Sequence, residues 1–224
     1  MPFALVVFDL DGTLVDSSVD LANAVNALLG DFGAAAIPVS DVTAMVGEGA
    51  AVLVRRALAA RGLDPETTGA LDRFLAHYDP HLLDNTRPYP GMVETLQELS
   101  RRVPLAVLTN KPAHATELML TGLGLRHYFR EAIGGDTLWG RKPAPAGLLH
   151  LCEAAGVAPA ETLLVGDSAV DLATARNAGT SVCLARYGFG FRFSGSEFDG
   201  SELFVDSPGV LLELPELSKL PKSP

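Results

Sequence analysis

Four short runs of uniformly apolar residues, separated by longer stretches with helical spacing, constrain the fold more than any other feature of this sequence. The runs show no alternation of polar and apolar residues, which is typical of strands in a parallel sheet covered by helices on both faces. The four runs are residues 4–8, 104–108, 162–166 and 180–184. The helical stretches are residues 91–102, 112–124, 143–156 and 169–179. This order predicts an α/β fold with a doubly wound, mainly parallel sheet, which is a Rossmann-like core.

A helical block interrupts this order after the first run. Residues 17–33, 50–62 and 68–83 have helical spacing, and no convincing strand lies among them. Ser17 or Ser18 is expected to cap the first of these helices. The predicted domains are an α/β core of residues 1–15 plus 88–224 and an inserted small helical domain of residues 16–87. The polar, proline-interrupted end, residues 217–224, is predicted to be a frayed tail.

Charge and cysteine content exclude several classes of protein. The net charge of −10 over 224 residues disfavours both a nucleic acid and an anionic membrane as partner. A small anionic substrate stays possible where a metal ion reverses the local charge. Cys152 and Cys183 are too few for a disulfide framework, and the apolar segment at residues 3–8 is too short to span a bilayer. These features predict a cytoplasmic protein.

Two aspartates, Asp9 and Asp11, directly follow the first apolar run. Residues two apart in a strand project to the same side, so both carboxylates are expected at the end of the first strand, where doubly wound sheets have their binding crevice. Gly12 and Thr13 let the chain turn there and are expected to leave backbone N–H groups free to hold an anion.

Further polar side chains follow the other apolar runs. They are Thr109 and Asn110 after the second run, Lys142 in a proline-stiffened loop, and Asp167 and Asp171 after the third run. Converging carboxylates need a counter-ion, and hard oxygen ligands favour Mg²⁺. A metal ion, a lysine, a hydroxyl and free N–H groups together make a phosphate site.

Four motifs in this order, D-x-D-G-T, T-N, K-P-x-P and G-D-x-x-x-D, resemble those of the haloacid dehalogenase superfamily. The helical insertion after the first motif resembles the small helical cap of that superfamily. Within it, the segments MVGEGAAVLVRRAL, TRPYPG, LTNKP, GGD and RYGFGF look most like those of bacterial phosphoglycolate phosphatases. The resemblance extends from Val6 to about Asp206, although the segment RFSGSEFDGSELFVDSPG departs from the family pattern.

This resemblance implies a phosphatase that transfers the phosphoryl group first to an aspartate and then to water. Asp9 is the implied nucleophile, and Asp11 is the implied general acid and base. Mg²⁺ is implied to bind Asp9, Asp167 and the backbone carbonyl of Asp11. The implied phosphate-binding residues are Gly12, Thr109, Asn110 and the catalytic Lys142, with Asp171 holding Lys142 or a metal-bound water.

The cap of this family closes over the site and selects the substrate. The segment VGEGA, residues 46–50, looks like its substrate-facing loop, and the expected specificity residues are Gly47, Glu48, Gly49 and Arg55. The favoured substrate is 2-phosphoglycolate. A sugar or amino-sugar phosphate, pyrophosphate and a sugar-phosphate mutase activity remain open, and a phospho-accepting signalling domain is a remote alternative. The expected partner is a small phosphorylated metabolite, and the protein is expected to be a monomer or homodimer.

Overall fold

Six parallel strands form the central sheet of the computed structural model, which describes residues 2–218. The strands of the molecule are β1 (Leu5–Phe8), β2 (Val15–Asp16), β3 (Arg87–Pro88), β4 (Leu105–Leu108), β5 (Glu131–Ile133), β6 (Thr162–Gly166), β7 (Ser181–Ala185) and β8 (Leu203–Val205). The sheet has the order β5-β4-β1-β6-β7-β8. The four predicted strands occupy its four central positions, and the predicted doubly wound parallel fold is confirmed. The two edge strands, β5 and β8, were not predicted.

Helices cover both faces of this sheet. The helices are α1 (Ser18–Asp31), α2 (Val39–Thr43), α3 (Ala50–Ala59), α4 (Ala70–Tyr78), α5 (Met92–Leu99), α6 (Ala113–Gly122), α7 (Ala146–Ala155), α8 (Ala169–Ala178) and α9 (Pro215–Ser218). Alternate residues of β1 enter two separate apolar clusters: Val6 and Phe8 pack with α5 and α6, and Leu5 and Val7 with α7 and α8. Burial on both faces explains why the strands are apolar throughout.

The helical insertion lies between β1 and β4 in the chain and consists of α1 to α4. The chain leaves and re-enters the core through β2 and β3, which pair antiparallel with Val15 opposite Pro88 and Asp16 opposite Arg87. The three long helices of the insertion were predicted, whereas the five-residue α2 was not.

Two expectations about local structure are wrong. Ser17 makes no capping hydrogen bond to α1, because its hydroxyl donates instead to Asp11 Oδ1 at 2.6 Å. The Asp16 carboxylate accepts from the N–H of Ser18 at 3.0 Å in its place. At the other end of the chain, Leu217 is buried in α9 rather than frayed, and residues 219–224 of the predicted tail lie outside the described residues.

Within the described chain, no helix combines the length and the apolar character that a bilayer crossing requires.

A buried carboxylate ties the insertion to its return segment. Asp20 of α1 is 2% exposed and accepts hydrogen bonds of 2.8 to 3.1 Å from the backbone and side chains of Asn85 and Thr86. Burial raises the pKa of Asp20, but these hydrogen bonds outweigh it and hold the pKa below its usual value. The ionised form of Asp20 therefore stabilises the folded state.

Replacing Asp20 by alanine should lower the free energy of unfolding at pH 7 by about 2–4 kcal/mol, because the donors of residues 85 and 86 lose a charged acceptor. Since the folded pKa lies below the unfolded one, this contribution is present above the unfolded pKa and is lost as the pH falls through the folded pKa. Urea unfolding of both proteins between pH 7 and pH 3 measures the difference. The exposed Asp72 of α4 offers the matched control, Asp72→Ala, expected to cost less than about 1 kcal/mol. A difference that grows towards low pH would contradict this account.

Candidate active site

The carboxyl edge of the sheet brings together polar side chains from three strands. Asp9 follows β1, Thr109 and Asn110 follow β4, and Asp167 follows β6. Because β1 lies between β4 and β6 and all three run parallel, their ends meet at one edge. All four side chains are buried. A buried polar cluster of this kind costs free energy unless its members are paired, so its contacts matter in detail.

Lys142 lies in this cluster and is 4% exposed. Its Nζ is 2.9 Å from Asp9 Oδ1 and 2.6 Å from Asp171 Oδ1. Burial lowers the pKa of Lys142, but the charges of Asp171 and Asp9 outweigh burial and raise it above its usual value. The lysine is therefore a permanent cation held between two carboxylates.

Asp171 is fixed at the start of α8. Its Oδ2 accepts hydrogen bonds from the hydroxyl of Ser168 at 2.6 Å and from the N–H of Ser168 at 3.1 Å, which completes a capping box. The helix terminus thus orients the carboxylate that receives Lys142.

Asn110 holds the loop that carries Lys142. Its Oδ1 accepts from the N–H of Lys142 at 2.8 Å, and its Nδ2 donates to the carbonyl oxygen of Lys142 at 3.0 Å. The same amide nitrogen donates to the carbonyl oxygen of Gly47 at 2.9 Å. Both amide hydrogens are therefore engaged, and the Asn110 side chain connects the lysine loop to the loop at Gly47 in this structure.

The acidic groups outnumber the cation beside them. Asp9, Asp167 and Asp171 each offer a carboxylate oxygen, and these oxygens lie within 4.8 Å of one another. Burial raises the pKa of Asp9 to about 6, with Lys142 lowering it and Asp171 raising it. Burial and then the charges of Asp171 and Asp9 raise the pKa of Asp167 well above its usual value. Three buried carboxylates with one ammonium leave an excess of negative charge.

This excess fits a hard divalent cation. The donors are carboxylate oxygens, which Mg²⁺ prefers. Asp167 accepts a hydrogen bond from the N–H of Gly190 at 2.7 Å and a long one from the Thr13 hydroxyl at 3.4 Å. Neither donor carries charge, and no ion pair to Asp167 occurs within residues 2–218. The residues present could therefore hold Mg²⁺, with Asp9 and Asp167 as ligands.

Position 12 requires a glycine because the Asp167 carboxylate lies too close for a side chain. The expectation that the Gly12 N–H is free is wrong. Its φ is +86°, and a Cβ at this position would lie 2.0 Å from Asp167 Oδ2. The Gly12 N–H donates to the carbonyl oxygen of Val15 at 2.9 Å, and the N–H of Thr13 to that of Leu10 at 3.3 Å. The tight turn uses these donors internally, so Gly12 makes room for Asp167 and offers no N–H to an anion.

Asp11 has its own lysine. Its carboxylate accepts from Lys111 Nζ at 3.2 and 3.3 Å and from the Ser17 hydroxyl at 2.6 Å. Lys111 Nζ also donates to the hydroxyl of Tyr78, in α4, at 2.6 Å. Asp9 and Asp11 therefore line one cavity but belong to two separate lysine–carboxylate groups.

The cavity lies between the helical insertion and the core. Of the four predicted cap residues, Gly47 and Gly49 line it, and Glu48 and Arg55 do not. Glu48 forms an ion pair with Arg56, and Arg55 lies 3.5 Å from Glu66 at a half-exposed position. The structure thus does not bring Glu48 and Arg55 into the cavity, because both side chains form ion pairs at partly or fully exposed positions.

Lys111 and Tyr78 were missed as site residues. The sequence did contain a signal for Lys111. Residues 2–218 have only two lysines, 111 and 142, and apart from the histidines all their other basic residues are arginines. Lysine is rarely buried, yet Lys111 is 6% exposed. Tyr78 gave no comparable signal, since an aromatic residue on a helix usually belongs to the core.

Comparisons with known proteins agree with this arrangement. The sequence model of the haloacid dehalogenase-like hydrolases matches residues 6–185. A phosphoglycolate phosphatase of Rhodospirillum rubrum is 45% identical over 197 residues, which cover 84% of this chain and 81% of the relative. Phosphoglycolate phosphatase 1 of Pseudomonas aeruginosa is 45% identical over 192 residues, which cover 83% of this chain and 70% of the relative.

A solved structure gives the same result. The crystal structure of a predicted phosphoglycolate phosphatase from Haemophilus somnus superposes with a TM-score of 0.87 and 34% sequence identity, covering 94% of this chain and 97% of that one. The structural match covers nearly the whole chain, and the family model matches residues 6–185, so both comparisons point to the same family. The chain therefore belongs to the haloacid dehalogenase-like hydrolases, as an enzyme of the phosphatase class.

Proposed function

We propose that this protein is a Mg²⁺-dependent phosphomonoesterase that hydrolyses 2-phosphoglycolate to glycolate and phosphate through an aspartyl-phosphate on Asp9. The observation that carries the proposal is the Asp9 carboxylate, which lines the cavity and is held at 2.9 Å by Lys142 within a buried acidic cluster. A carboxylate fixed in this way can attack phosphorus if the negative charge around it is compensated.

The two aspartates of the first motif divide the reaction. Asp9 forms a bond to phosphorus, and the bond from phosphorus to the ester oxygen breaks. Asp11 gives a proton to that oxygen and then takes one from the water that attacks the aspartyl-phosphate, so phosphate leaves and Asp9 is restored. A positioned acid and base of this kind contributes about 10²–10⁴-fold.

The remaining residues hold the phosphoryl group. Lys142 is a permanent cation 2.9 Å from Asp9, and Thr109 lines the cavity together with Asp9. Asn110 would contribute an amide hydrogen by giving up its hydrogen bond to Gly47. Mg²⁺, bound by Asp9, Asp167 and the backbone carbonyl of Asp11, would neutralise the charge that otherwise repels a dianionic phosphate.

The helical insertion, residues 16–87, acts as the cap over a core of residues 1–15 plus 88–224. Its side of the cavity includes Leu21, Leu53 and Phe74, so it excludes water from the reacting group. An apolar wall offers few partners to the hydroxyls of a sugar, which supports a small substrate. The names of the 45% identical relatives point to 2-phosphoglycolate among the small metabolites of the cytoplasm.

Phosphate release should be measured with 2-phosphoglycolate, glucose 6-phosphate, glucosamine 6-phosphate and pyrophosphate, with Mg²⁺ and with EDTA. We expect 2-phosphoglycolate to lead in kcat/KM by at least about tenfold, which corresponds to about 1.4 kcal/mol of transition-state stabilisation. EDTA should abolish release. If another ester leads, the phosphatase chemistry stands and the substrate assignment is wrong. Interconversion of hexose phosphates without phosphate release would indicate a mutase instead.

A further inference from the structure

The cavity between cap and core contains one cationic side chain, Lys111, among the described residues that line it. Its ammonium is buried, lies 3.2 Å from the Asp11 carboxylate and sits 4.6 Å from the centre of the Tyr78 ring. Burial lowers the pKa of Lys111, but Asp11 and Tyr78 outweigh burial and raise it above its usual value. Lys111 is therefore charged whenever a substrate enters.

Beside the Lys111 ammonium, the Tyr78 hydroxyl provides a second hydrogen-bond donor. Its oxygen accepts the hydrogen bond from Lys111 at 2.6 Å, and within residues 2–218 the hydroxyl proton itself finds no acceptor. Burial raises the pKa of Tyr78 to about 12, so the proton stays on the oxygen. A buried donor without an acceptor is costly unless a ligand supplies one. The pair Lys111 and Tyr78 thus offers an ammonium and a hydroxyl proton together.

The distance from Lys111 to Asp11 fits a phosphate ester whose carboxylate is close to its ester oxygen. Asp11 is the proposed proton donor to the ester oxygen, and Lys111 Nζ lies 3.2 Å from Asp11. In 2-phosphoglycolate a single methylene separates that oxygen from the carboxylate, so the carboxylate falls beside Lys111 when the ester oxygen meets Asp11. The nearby cap side chains Leu21 and Phe74 are apolar and could not bind it.

We propose that Lys111, supported by Tyr78, binds the anionic tail of the substrate and so selects esters with a carboxylate next to the ester carbon. This inference rests on the proposed function and assigns to Lys111 a selective role for which the sequence had suggested Arg55 among other residues. The guanidinium of Arg55 lies 3.5 Å from Glu66, outside the cavity.

The test compares two esters of equal length, 2-phosphoglycolate with a charged tail and ethyl phosphate with a neutral one. Lys111→Met should lower kcat/KM for 2-phosphoglycolate by roughly 10- to 100-fold, mainly through KM, and change ethyl phosphate less than about fivefold. Tyr78→Phe should show the same selectivity at about three- to tenfold, and it serves if Lys111→Met does not fold. Arg73→Met, in α4 and outside the cavity, is the control for the loss of one positive charge that does not line the cavity.

A second readout does not depend on turnover. In the Asp9→Asn background, calorimetry should show that Lys111→Met weakens binding of 2-phosphoglycolate and leaves binding of inorganic phosphate unchanged. An equal loss on both esters would mean that Lys111 acts only through Asp11, and this would overturn the inference, as would a selective loss in Arg55→Met instead.

The wild-type enzyme separates this inference from the proposed function. If it prefers 2-phosphoglycolate and Lys111→Met is unselective, only the inference fails. If it prefers another ester with the carboxylate next to the ester carbon, such as 2-phosphoglycerate, and Lys111→Met is selective for that ester, only the substrate assignment fails. A preference for an ester without an anionic tail overturns both.

Discussion

Replacing Lys142 by methionine should reduce kcat/KM for the preferred phosphate ester on the order of 10³-fold and lower the free energy of unfolding by about 3–5 kcal/mol. The ammonium lies 2.9 Å from Asp9 and 2.6 Å from Asp171, and both carboxylates are buried. Methionine has a similar length and no charge, so the variant leaves two buried carboxylates without their cation. Steady-state kinetics and urea unfolding measure the two losses.

A second substitution separates these losses. The double variant Lys142→Met with Asp171→Asn removes one of the two carboxylates that the lysine had compensated, so it should regain most of the lost stability. It should not regain activity, because a phosphoryl group still finds no ammonium beside Asp9. If activity returned together with stability, Lys142 would serve only to hold the fold, and its proposed contact with the phosphoryl group would be wrong.

The central strands were predictable because a strand covered on both faces has no polar side. Val6 and Phe8 enter one apolar cluster and Leu5 and Val7 the other, so β1 is apolar at every position. The edge strands lack this signal. β5 and β8 have three residues each, and two of the three are only partly buried. A short, partly exposed segment has no periodicity that distinguishes it from a loop.

The core site was predictable for a topological reason. Adjacent parallel strands end at the same edge of the sheet, so the residues that follow β1, β4 and β6 lie close together whatever contacts their side chains make. Contacts between cap and core have no such rule. Tyr78 and Lys111 are 33 residues apart, and their meeting depends on how α4 packs over the core.

Side-chain partners set a further limit on prediction. Arg55 is on α3, as the sequence indicated, but its guanidinium pairs with Glu66 at 3.5 Å and does not line the cavity. The Gly12 turn was also expected, yet the carbonyl oxygen of Val15 takes the N–H that was assigned to an anion. Spacing predicts where a group lies along an element, and competing partners decide what that group is free to bind.

Replacing Asp9 by asparagine should abolish turnover, with a loss on the order of 10⁴-fold or more, and at the same time stabilise the metal-free protein. The loss follows because an amide cannot form the aspartyl-phosphate. The pKa of Asp9 is raised from 3.8 to about 6, so the folded protein holds this proton more tightly than the unfolded chain. The contribution of Asp9 to the free energy of unfolding therefore falls as the pH rises from 3.8 to about 6 and stays low above that range. Asparagine removes a cost of up to about 3 kcal/mol at pH 7.5, measurable by urea unfolding in EDTA.

Asp11→Asn is the variant to compare with Asp9→Asn, and it should lower the free energy of unfolding where Asp9→Asn raises it. Asp9 shares Lys142 with Asp171, so the lysine stays paired when Asp9 loses its charge. Lys111 has Asp11 as its only carboxylate within 4.0 Å in residues 2–218, so Asp11→Asn leaves a buried ammonium with Tyr78 alone. Both variants should lose activity, but only Asp9→Asn should become more stable. If Asp9→Asn kept activity within tenfold of the wild type, another group would have to be the nucleophile. If both variants lost stability alike, the acidic cluster would not carry the excess charge that makes it fit a cation.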